Sequence, residues 1–271
     1  MLINRLLVTI VLLPIGLAMI VWGGLPYALT IALIIALAAW EYVRLLQAGA
    51  YQPAGVLVVV GAVGLVLDRH YAGFEHAPWL ISVLILLSMT YHLIAFERGR
   101  DQAAADFGIT LAGIFYLGWI GAYFISLRSL PEGKWWVLVV LPAIWLADTG
   151  AYFVGRKYGR HKLCPRLSPK KSWEGYLAGI ITGTLGGYLL GALWGFGAGP
   201  GTSVSPVYSG ILGLVLAFLT TLGDLGESMI KRQVGVKDSG NLLPGHGGVF
   251  DRIDSWLWGV IIGYYLIEFL L

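Results

Sequence analysis

The chain is dominated by long apolar segments, and these limit most strongly what it can fold into. The hydrocarbon core of a bilayer is about 30 Å thick, and a helix needs about 20 apolar residues to cross it. Nine segments have this character; they lie near 6–23, 26–43, 54–67, 79–95, 107–127, 135–154, 173–196, 207–226 and 253–271, and the third is the shortest. We therefore expect an all-α polytopic membrane protein with about nine transmembrane helices.

Composition excludes several other classes of protein. Hydrophobic residues make up 58% of the chain and charged residues only 12%, about half the charged fraction of soluble proteins. A soluble enzyme, a disordered chain and a nucleic-acid-binding protein are therefore excluded, and no nucleic acid is expected among the partners. The single cysteine, Cys164, excludes a disulfide scaffold.

The distribution of basic residues predicts the orientation. Loops on the cytoplasmic side of membrane proteins carry an excess of lysine and arginine. If the N-terminus is cytoplasmic, 15 of the 18 basic residues lie inside, and the C-terminus lies outside. Two long polar loops, near 155–172 and 227–252, then face the cytoplasm. The pattern shows one integral membrane domain over 1–271 and no separate soluble domain.

A run of glycines marks the seventh predicted span. One glycine recurs every fourth residue, in the series Gly175, Gly179, Gly183, Gly187, Gly191 and Gly195. Glycine at this spacing lets a neighbouring helix approach closely. We therefore expect tight helix packing along this ladder, either within the chain or across a dimer.

Acidic residues at the edges of the apolar segments predict the position of the chemistry. They are Asp148, the pair Asp224 and Glu227, and the pair Asp251 and Asp254. A carboxylate within a membrane span is costly and usually marks function. All five are expected near the cytoplasmic level, beside the basic loops, where carboxylates and cations suit Mg²⁺ and phosphates. The alternative is that some of these acids only neutralise nearby cations.

The basic segment before the seventh span has three interpretations. It can set the topology, contact anionic lipid headgroups, or bind the phosphates of a substrate. Lys170 and Lys171 favour phosphate binding, because Ser172 can cap the following helix and its N-terminus then faces the anions. Further along, His246 lies between glycines; a structural hydrogen bond is its simplest role, and a general base is the alternative.

These residues also form a recognisable pattern. The segment 228–254, with Lys231, Arg232 and a Pro-Gly-His-Gly-Gly run that leads to Asp251-Arg252-Ile253-Asp254, resembles the signature of the phosphatidate cytidylyltransferases, or CDP-diacylglycerol synthases. The segments 148–156 and 168–175 resemble the same family. The resemblance covers about 145–254, so we place the catalytic region in 135–271. Region 1–134 is similar only in its general helical layout.

The resemblance implies a reaction in which CTP and phosphatidate give CDP-diacylglycerol and pyrophosphate. It also implies Mg²⁺, alone or with a second cation, a multi-pass enzyme of the bacterial inner membrane, surrounding membrane lipid, and a homodimer. By position, Asp224 and Asp251 are the best candidates for metal ligands, and Asp148 is the next. Glu227 and Asp254 are candidates for supporting these ligands without binding the metal directly. The catalytic set is Asp224, Asp251, Lys231 and Arg232. Predicted substrate contacts are Lys170, Lys171, Ser172, Ser228, Asn241, His246, Gly247, Gly248 and Arg252.

Two other functions remain open at this point. A related enzyme could use CTP to activate a different lipid phosphate. An ion-coupled transporter also places acids and glycine-rich helices in the membrane, but its sites lie near the midplane between repeats. Here the acids are expected near one face, and the sequence has no internal repeat.

Overall fold

A computed structural model describes residues 2–242, 245 and 247–270, with side chains from residue 10 onward. His246 lies outside the described residues. The helices are α1 (Leu2–Trp22), α2 (Gly24–Ala48), α3 (Gly55–Ala72), α4 (Ala77–Glu97), α5 (Ala103–Gly113), a π-helical segment (Ile114–Trp119), α6 (Tyr123–Ser129), α7 (Gly133–Tyr158), α8 (Trp173–Ala198), α9 (Pro206–Leu219), α10 (Thr221–Gln233) and α11 (Phe250–Leu270). Strands β1 (Lys162–Cys164) and β2 (Ser168–Ser172) form an antiparallel hairpin.

The described helices confirm an all-α polytopic membrane protein. Eight helical segments are long and apolar enough to cross a membrane, with Ala103–Ser129 and Pro206–Gln233 each counted as one. The first predicted span corresponds to α1, in which Ile10–Trp22 forms a shorter apolar helix. The third span is longer than expected, with 18 residues from Gly55 to Ala72. The cytoplasmic orientation stays a prediction.

Both predicted polar loops contain regular structure. In 155–172, α7 continues to Tyr158 and the β1–β2 hairpin occupies most of the remainder. In 227–252, α10 continues to Gln233 and α11 begins at Phe250, so the loop itself is 234–249. The charges of α10 suit a helix, because Asp224 lies in its first turn and Lys231 and Arg232 in its last. This order complements the helix dipole, although the polarity alone suggested a loop.

The chain divides into two compact units, which the sequence did not indicate. The N-terminal unit comprises Met1–Ser126 and Ile230–Ile253; the C-terminal unit comprises Leu127–Met229 and Asp254–Leu271. The division falls near the expected start of the catalytic region at 135. The segment 230–253, which carries most of the signature, nevertheless belongs to the N-terminal unit.

In the C-terminal unit, the glycine ladder packs α8 against two helices of the same chain. Near its start, a Cβ on Gly175 would lie 2.7 Å from the carbonyl oxygen of Ala151 in α7. In the middle, a Cβ on Gly183 would lie 2.7 Å from the Cβ of Ala217 in α9. Gly187 packs directly on the backbone of Ser209. The expected close packing is therefore confirmed in its within-chain form.

In the N-terminal unit, two acids within apolar helices are buried and accept hydrogen bonds. Asp106 of α5 is fully buried and accepts hydrogen bonds from the Arg100 guanidinium at 2.7 Å and from the backbone N–H of Gln52 at 2.8 Å. The Asp106 carboxylate raises the pKa of Arg100. This ion pair fixes the connections on either side of α3 and α4, so Asp106 has a structural partner rather than a free carboxylate. The second acid, Glu41, lies in a cluster with Ser239 and Asp251 of the same unit.

Candidate active site

Three carboxylates come together in the C-terminal unit, and we call Asp148, Asp224 and Asp254 the acidic group. They come from α7, α10 and α11. Asp148 interacts electrostatically with Asp224 and Lys171, and Asp254 interacts with all three of these residues. Asp254 is buried, Asp224 is partly exposed and Asp148 is exposed. The structure thus places two of the three predicted metal ligands, Asp148 and Asp224, in one group with Asp254.

Lys171 is the cation of this group. Its ammonium lies 2.8 Å from Asp224 Oδ2, and the hydroxyl of Ser228 donates to Asp224 Oδ1 at 3.3 Å. The β-hairpin holds Lys171 one residue before Ser172, which caps α8 by accepting a hydrogen bond from the Gly175 N–H at 3.2 Å. The predicted cap is therefore confirmed. It orders the backbone directly beside the lysine that meets the acidic group.

The acidic group fits a divalent cation by its chemistry. Its oxygen donors are those that Mg²⁺ prefers, and three acids share the group with the single ammonium of Lys171. Across the described part of the chain, no set of three or more His, Cys, Asp or Glu side chains is arranged to hold a metal by itself. Mg²⁺ usually takes one or two carboxylates together with water and substrate phosphates, so a site completed by phosphates agrees with this arrangement.

A second polar cluster lies in the N-terminal unit, around Asp251. The Lys231 ammonium lies 2.7 Å from Asp251 Oδ1. On the other oxygen, Asp251 accepts hydrogen bonds from the N–H and hydroxyl of Ser239, both at 2.9 Å, and from the Gly248 N–H at 2.8 Å. The Oδ2 oxygen therefore ties the loop 234–249 to the start of α11, and the Oδ1 oxygen ties the end of α10 to it. Metal binding by Asp251 stays a prediction.

Glu41 of α2 joins this cluster, and the sequence analysis missed it. Its side chain is only 1% exposed, and its Oε2 accepts a hydrogen bond from the Phe250 N–H at 2.9 Å and approaches the Ser239 hydroxyl at 3.4 Å. Its Oε1 is buried and has no hydrogen-bond partner among the described residues. The available signal was a glutamate within an apolar helix, which is costly unless it has a role.

The other predicted residues are placed as follows. Glu227 is buried in α10, and Gly248 is buried beside Asp251. Arg232 is exposed and donates to the Val236 carbonyl at 3.1 Å. Lys170, Asn241 and Arg252 are exposed, and Gly247 has a positive φ of 85° beside Asp251. The structure therefore brings together Lys171, Ser228 and the acidic group in one unit, and Lys231, Gly248 and Asp251 in the other.

The fold and this site define a class: a multi-pass membrane protein with a lysine-paired group of carboxylates on its apolar helices. Comparison with known proteins narrows the class. The family model described as the cytidylyltransferase family matches residues 3–270. The chain belongs to the cytidylyltransferase family.

Individual relatives match over nearly their whole length. A phosphatidate cytidylyltransferase of Pseudomonas aeruginosa is 36% identical over 265 residues, which cover 94% of this chain and 93% of the relative. The phosphatidate cytidylyltransferase of Bacillus subtilis is 33% identical over 271 residues, covering 97% of each chain. That of Synechocystis is 31% identical over 302 residues, covering 99% of this chain and 97% of the relative. These matches confirm the resemblance and extend it into the N-terminal region.

Proposed function

We propose that this protein is a phosphatidate cytidylyltransferase of phospholipid biosynthesis, which converts CTP and phosphatidate to CDP-diacylglycerol and pyrophosphate. The observation that carries the proposal is the ion pair of Lys171 with Asp224 in the C-terminal unit, with which Asp148 and Asp254 interact electrostatically. The names of the full-length relatives support the same reaction. Carboxylates and a lysine at apolar helices suit a reaction between a water-soluble nucleotide and a lipid phosphate.

In the proposed reaction, a phosphate oxygen of phosphatidate attacks the α-phosphorus of CTP, and pyrophosphate leaves. This oxygen is already anionic, so the step needs no strong general base and no such role for His246. The chain has to align two anions and offset their repulsion. Lys171 is held beside Asp224 by the hairpin and the capped helix, so its charge is in place before substrate arrives. Such preorganised charge is an effective form of catalysis.

We propose that Mg²⁺ binds at the acidic group. Asp224 would hold it, with Asp148 and Asp254 supplying further negative charge and CTP phosphates completing the ligands. When bound, the ion supplies charge neutralisation at the phosphate oxygens. Asp251 stays the other predicted ligand, and Lys231 and Arg232 stay predicted phosphate contacts.

We further propose that the protein resides in a bacterial inner membrane with the hairpin and the loop 234–249 in the cytoplasm, where CTP is made. A Cys164→Ser, Lys237→Cys variant tests this, because Lys237 is exposed. An impermeant maleimide should label it only after the membrane is opened. Labelling in intact cells would reverse the orientation.

A homodimer is also proposed, from the resemblance alone. The face of the glycine ladder is covered by α7 and α9 of the same chain, so contact between subunits would use another surface. Light scattering of the purified protein measures its molecular mass and so tests for a dimer. The mass of a monomer at working concentrations would contradict this proposal.

The decisive experiment is a reconstituted assay. Purified protein in mixed micelles receives radiolabelled CTP and phosphatidate, and we expect label in the lipid fraction together with release of pyrophosphate. Diacylglycerol, which lacks the phosphate, should give none, and Asp224→Asn is the matched inactive variant. If wild-type membranes label lipid but the purified protein leaves all the label in CTP, the result would favour a carrier. Faster labelling of another lipid phosphate would favour a related CTP-dependent enzyme.

A further inference from the structure

The N-terminal unit contains a cavity of about 410 Å³ beside the C-terminal end of α2, with charged residues in its wall. Its walls include Trp40, Glu41 and Arg44 from α2 and Asp238 and Asn241 from the loop 234–249. The proposed reaction uses none of Trp40, Arg44 and Asp238. The guanidinium of Arg44 lies over the ring of Trp40 at 4.8 Å and makes no ion pair with any described residue. A cation and an exposed carboxylate thus face one cavity.

Trp40 also borders an apolar groove of about 260 Å³ between α2 and α3. The groove is lined by Trp40, Val43, Gly55, Val56, Val59 and Val60, with no polar surface. Val56 and Val60 are 76% and 61% exposed, which places the groove on the outside of the helices. In a membrane-spanning chain such a surface meets acyl chains. Gly55 keeps the groove open, since a Cβ there would lie 3.0 Å from the Val43 side chain.

The charged residues in the wall of the 410 Å³ cavity decide which headgroup fits. Arg44 offers one positive charge and Asp238 one exposed negative charge, while the carboxylate of Glu41 is buried and bonded to Phe250. A phosphate monoester with one or two negative charges would meet one cation and two carboxylates. A zwitterionic headgroup instead matches both exposed charges, because guanidinium groups bind phosphates and carboxylates bind ammonium groups. The Trp40 ring would lie between the headgroup and the first acyl carbons, the usual level of tryptophan in membranes.

We propose that these two cavities form one binding site for a phospholipid that is neither substrate nor product, with a phosphodiester and a primary ammonium in its headgroup. The phosphodiester pairs with Arg44, the ammonium pairs with Asp238, and an acyl chain follows the valine groove past Trp40. Phosphatidylethanolamine is the simplest lipid with this chemistry.

Native mass spectrometry of the delipidated full-length protein tests the site. Phosphatidylethanolamine and phosphatidylcholine with identical acyl chains are added in equal amounts, and retention of each is measured. Both headgroups carry a cationic nitrogen, but phosphatidylcholine cannot donate a hydrogen bond to a carboxylate. We therefore expect the ethanolamine lipid to be retained about two- to fivefold better, as for other exposed charged contacts. Asp238→Asn should abolish this preference, and Arg44→Gln and Gly55→Leu should lower retention of both lipids.

Arg98→Gln is the matched control, because Arg98 is an exposed arginine that does not line either cavity. It should change neither retention nor preference. Asp238 and Arg44 are both exposed, so their variants are expected to fold, and a thermal melt verifies this for each. Equal retention of the two lipids by the wild type would overturn the proposal, as would a preference that survives Asp238→Asn. Displacement of the lipid by CTP would assign the cavity to the nucleotide, and a stronger preference for phosphatidate would assign it to the substrate.

Discussion

The ammonium of Lys171 lies 2.8 Å from the carboxylate of Asp224. This contact joins the basic hairpin to the acidic group within the C-terminal unit. It also distinguishes two neighbouring lysines that look equivalent in the sequence, because Lys170 is exposed, whereas Lys171 is half-buried against Asp224.

Lys171→Gln should therefore lower kcat much more than Lys170→Gln. Removing one preorganised positive charge from a reacting phosphate typically costs about 10²–10³-fold. Initial rates of lipid labelling by the two variants, with CTP and phosphatidate varied in turn, measure the difference. Equal losses in both variants would show that the contact with Asp224 has no catalytic consequence.

Asp224→Asn should abolish most activity and leave it insensitive to added Mg²⁺. The substitution keeps the shape of the side chain but removes one charge of the acidic group and weakens its pairing with Lys171. Ser228→Ala is the milder control, since it deletes only a 3.3 Å hydrogen bond to the same carboxylate. Activity is titrated against Mg²⁺ after treatment with a chelator. Full recovery of Asp224→Asn activity at high Mg²⁺ would mean that Asp224 only tunes the affinity for the metal. Undiminished activity of the wild type without any divalent ion would contradict the proposal of a metal site.

Glu41→Ala should loosen the loop 234–249. The substitution leaves the buried Phe250 N–H without its acceptor, at a cost of about 1–3 kcal/mol. Glu41→Gln keeps an amide oxygen for that bond and should lose less. Thermal melting and the rate of proteolysis within the loop report the effect, with the exposed Glu97→Gln as control. If Ala and Gln at position 41 behave alike, the hydrogen bond to Phe250 does not hold the loop.

Gly187→Leu should destabilise the protein in detergent. Gly187 packs on the backbone of Ser209, which cannot move aside as a side chain could. Overpacking of this kind typically costs about 1–3 kcal/mol. Gly108→Leu is the control, since a Cβ at this helical glycine meets nothing within 4 Å. A melting temperature that falls equally in both variants would mean that the ladder adds no special packing.

Acid should weaken the contact between Glu132 and Ser203. Partial burial by itself would raise the pKa of the Glu132 carboxyl, but hydrogen bonds from Ser203 and Thr202 outweigh it and hold the pKa below its ordinary 4.5. The ionised group therefore stabilises the folded state above about pH 4.5, and this contribution is lost as the pH falls through the lower folded-state pKa.

The melting temperatures of wild type and Glu132→Gln measure this effect. The wild type should melt higher near neutral pH, and the gap should close as the buffer is taken below about pH 4. A gap that is constant with pH would show that the carboxylate charge plays no part. Ser203→Ala removes the hydroxyl that donates to Glu132 but keeps the backbone N–H that also donates, and it should reproduce a fraction of the same pH dependence.

The sequence predicted the helices well because each span needs only a local run of apolar residues. It also singled out Asp148, Asp224 and Asp254 as candidate site residues, because an acid within an apolar run is conspicuous. It did not predict that Lys171 rather than Lys170 meets Asp224, since that choice depends on the register of the hairpin. Nor did it predict the contact of Glu41 with Phe250, which joins residues 209 positions apart; no local pattern specifies such a pair.

The distance along the chain between Glu41 and Phe250 also determines how long Glu41 exists during synthesis before its donor is made. A ribosome that adds about 5–20 residues per second needs about 10–40 s to make the 209 residues between them. During that interval α2 is already synthesised, and Glu41 lies in or near the membrane without a hydrogen bond from Phe250. The nascent N-terminal half therefore lacks the donor to Glu41 until α11 is synthesised. A chain truncated before Phe250 would never gain this hydrogen bond, and we expect quality-control proteases to degrade it.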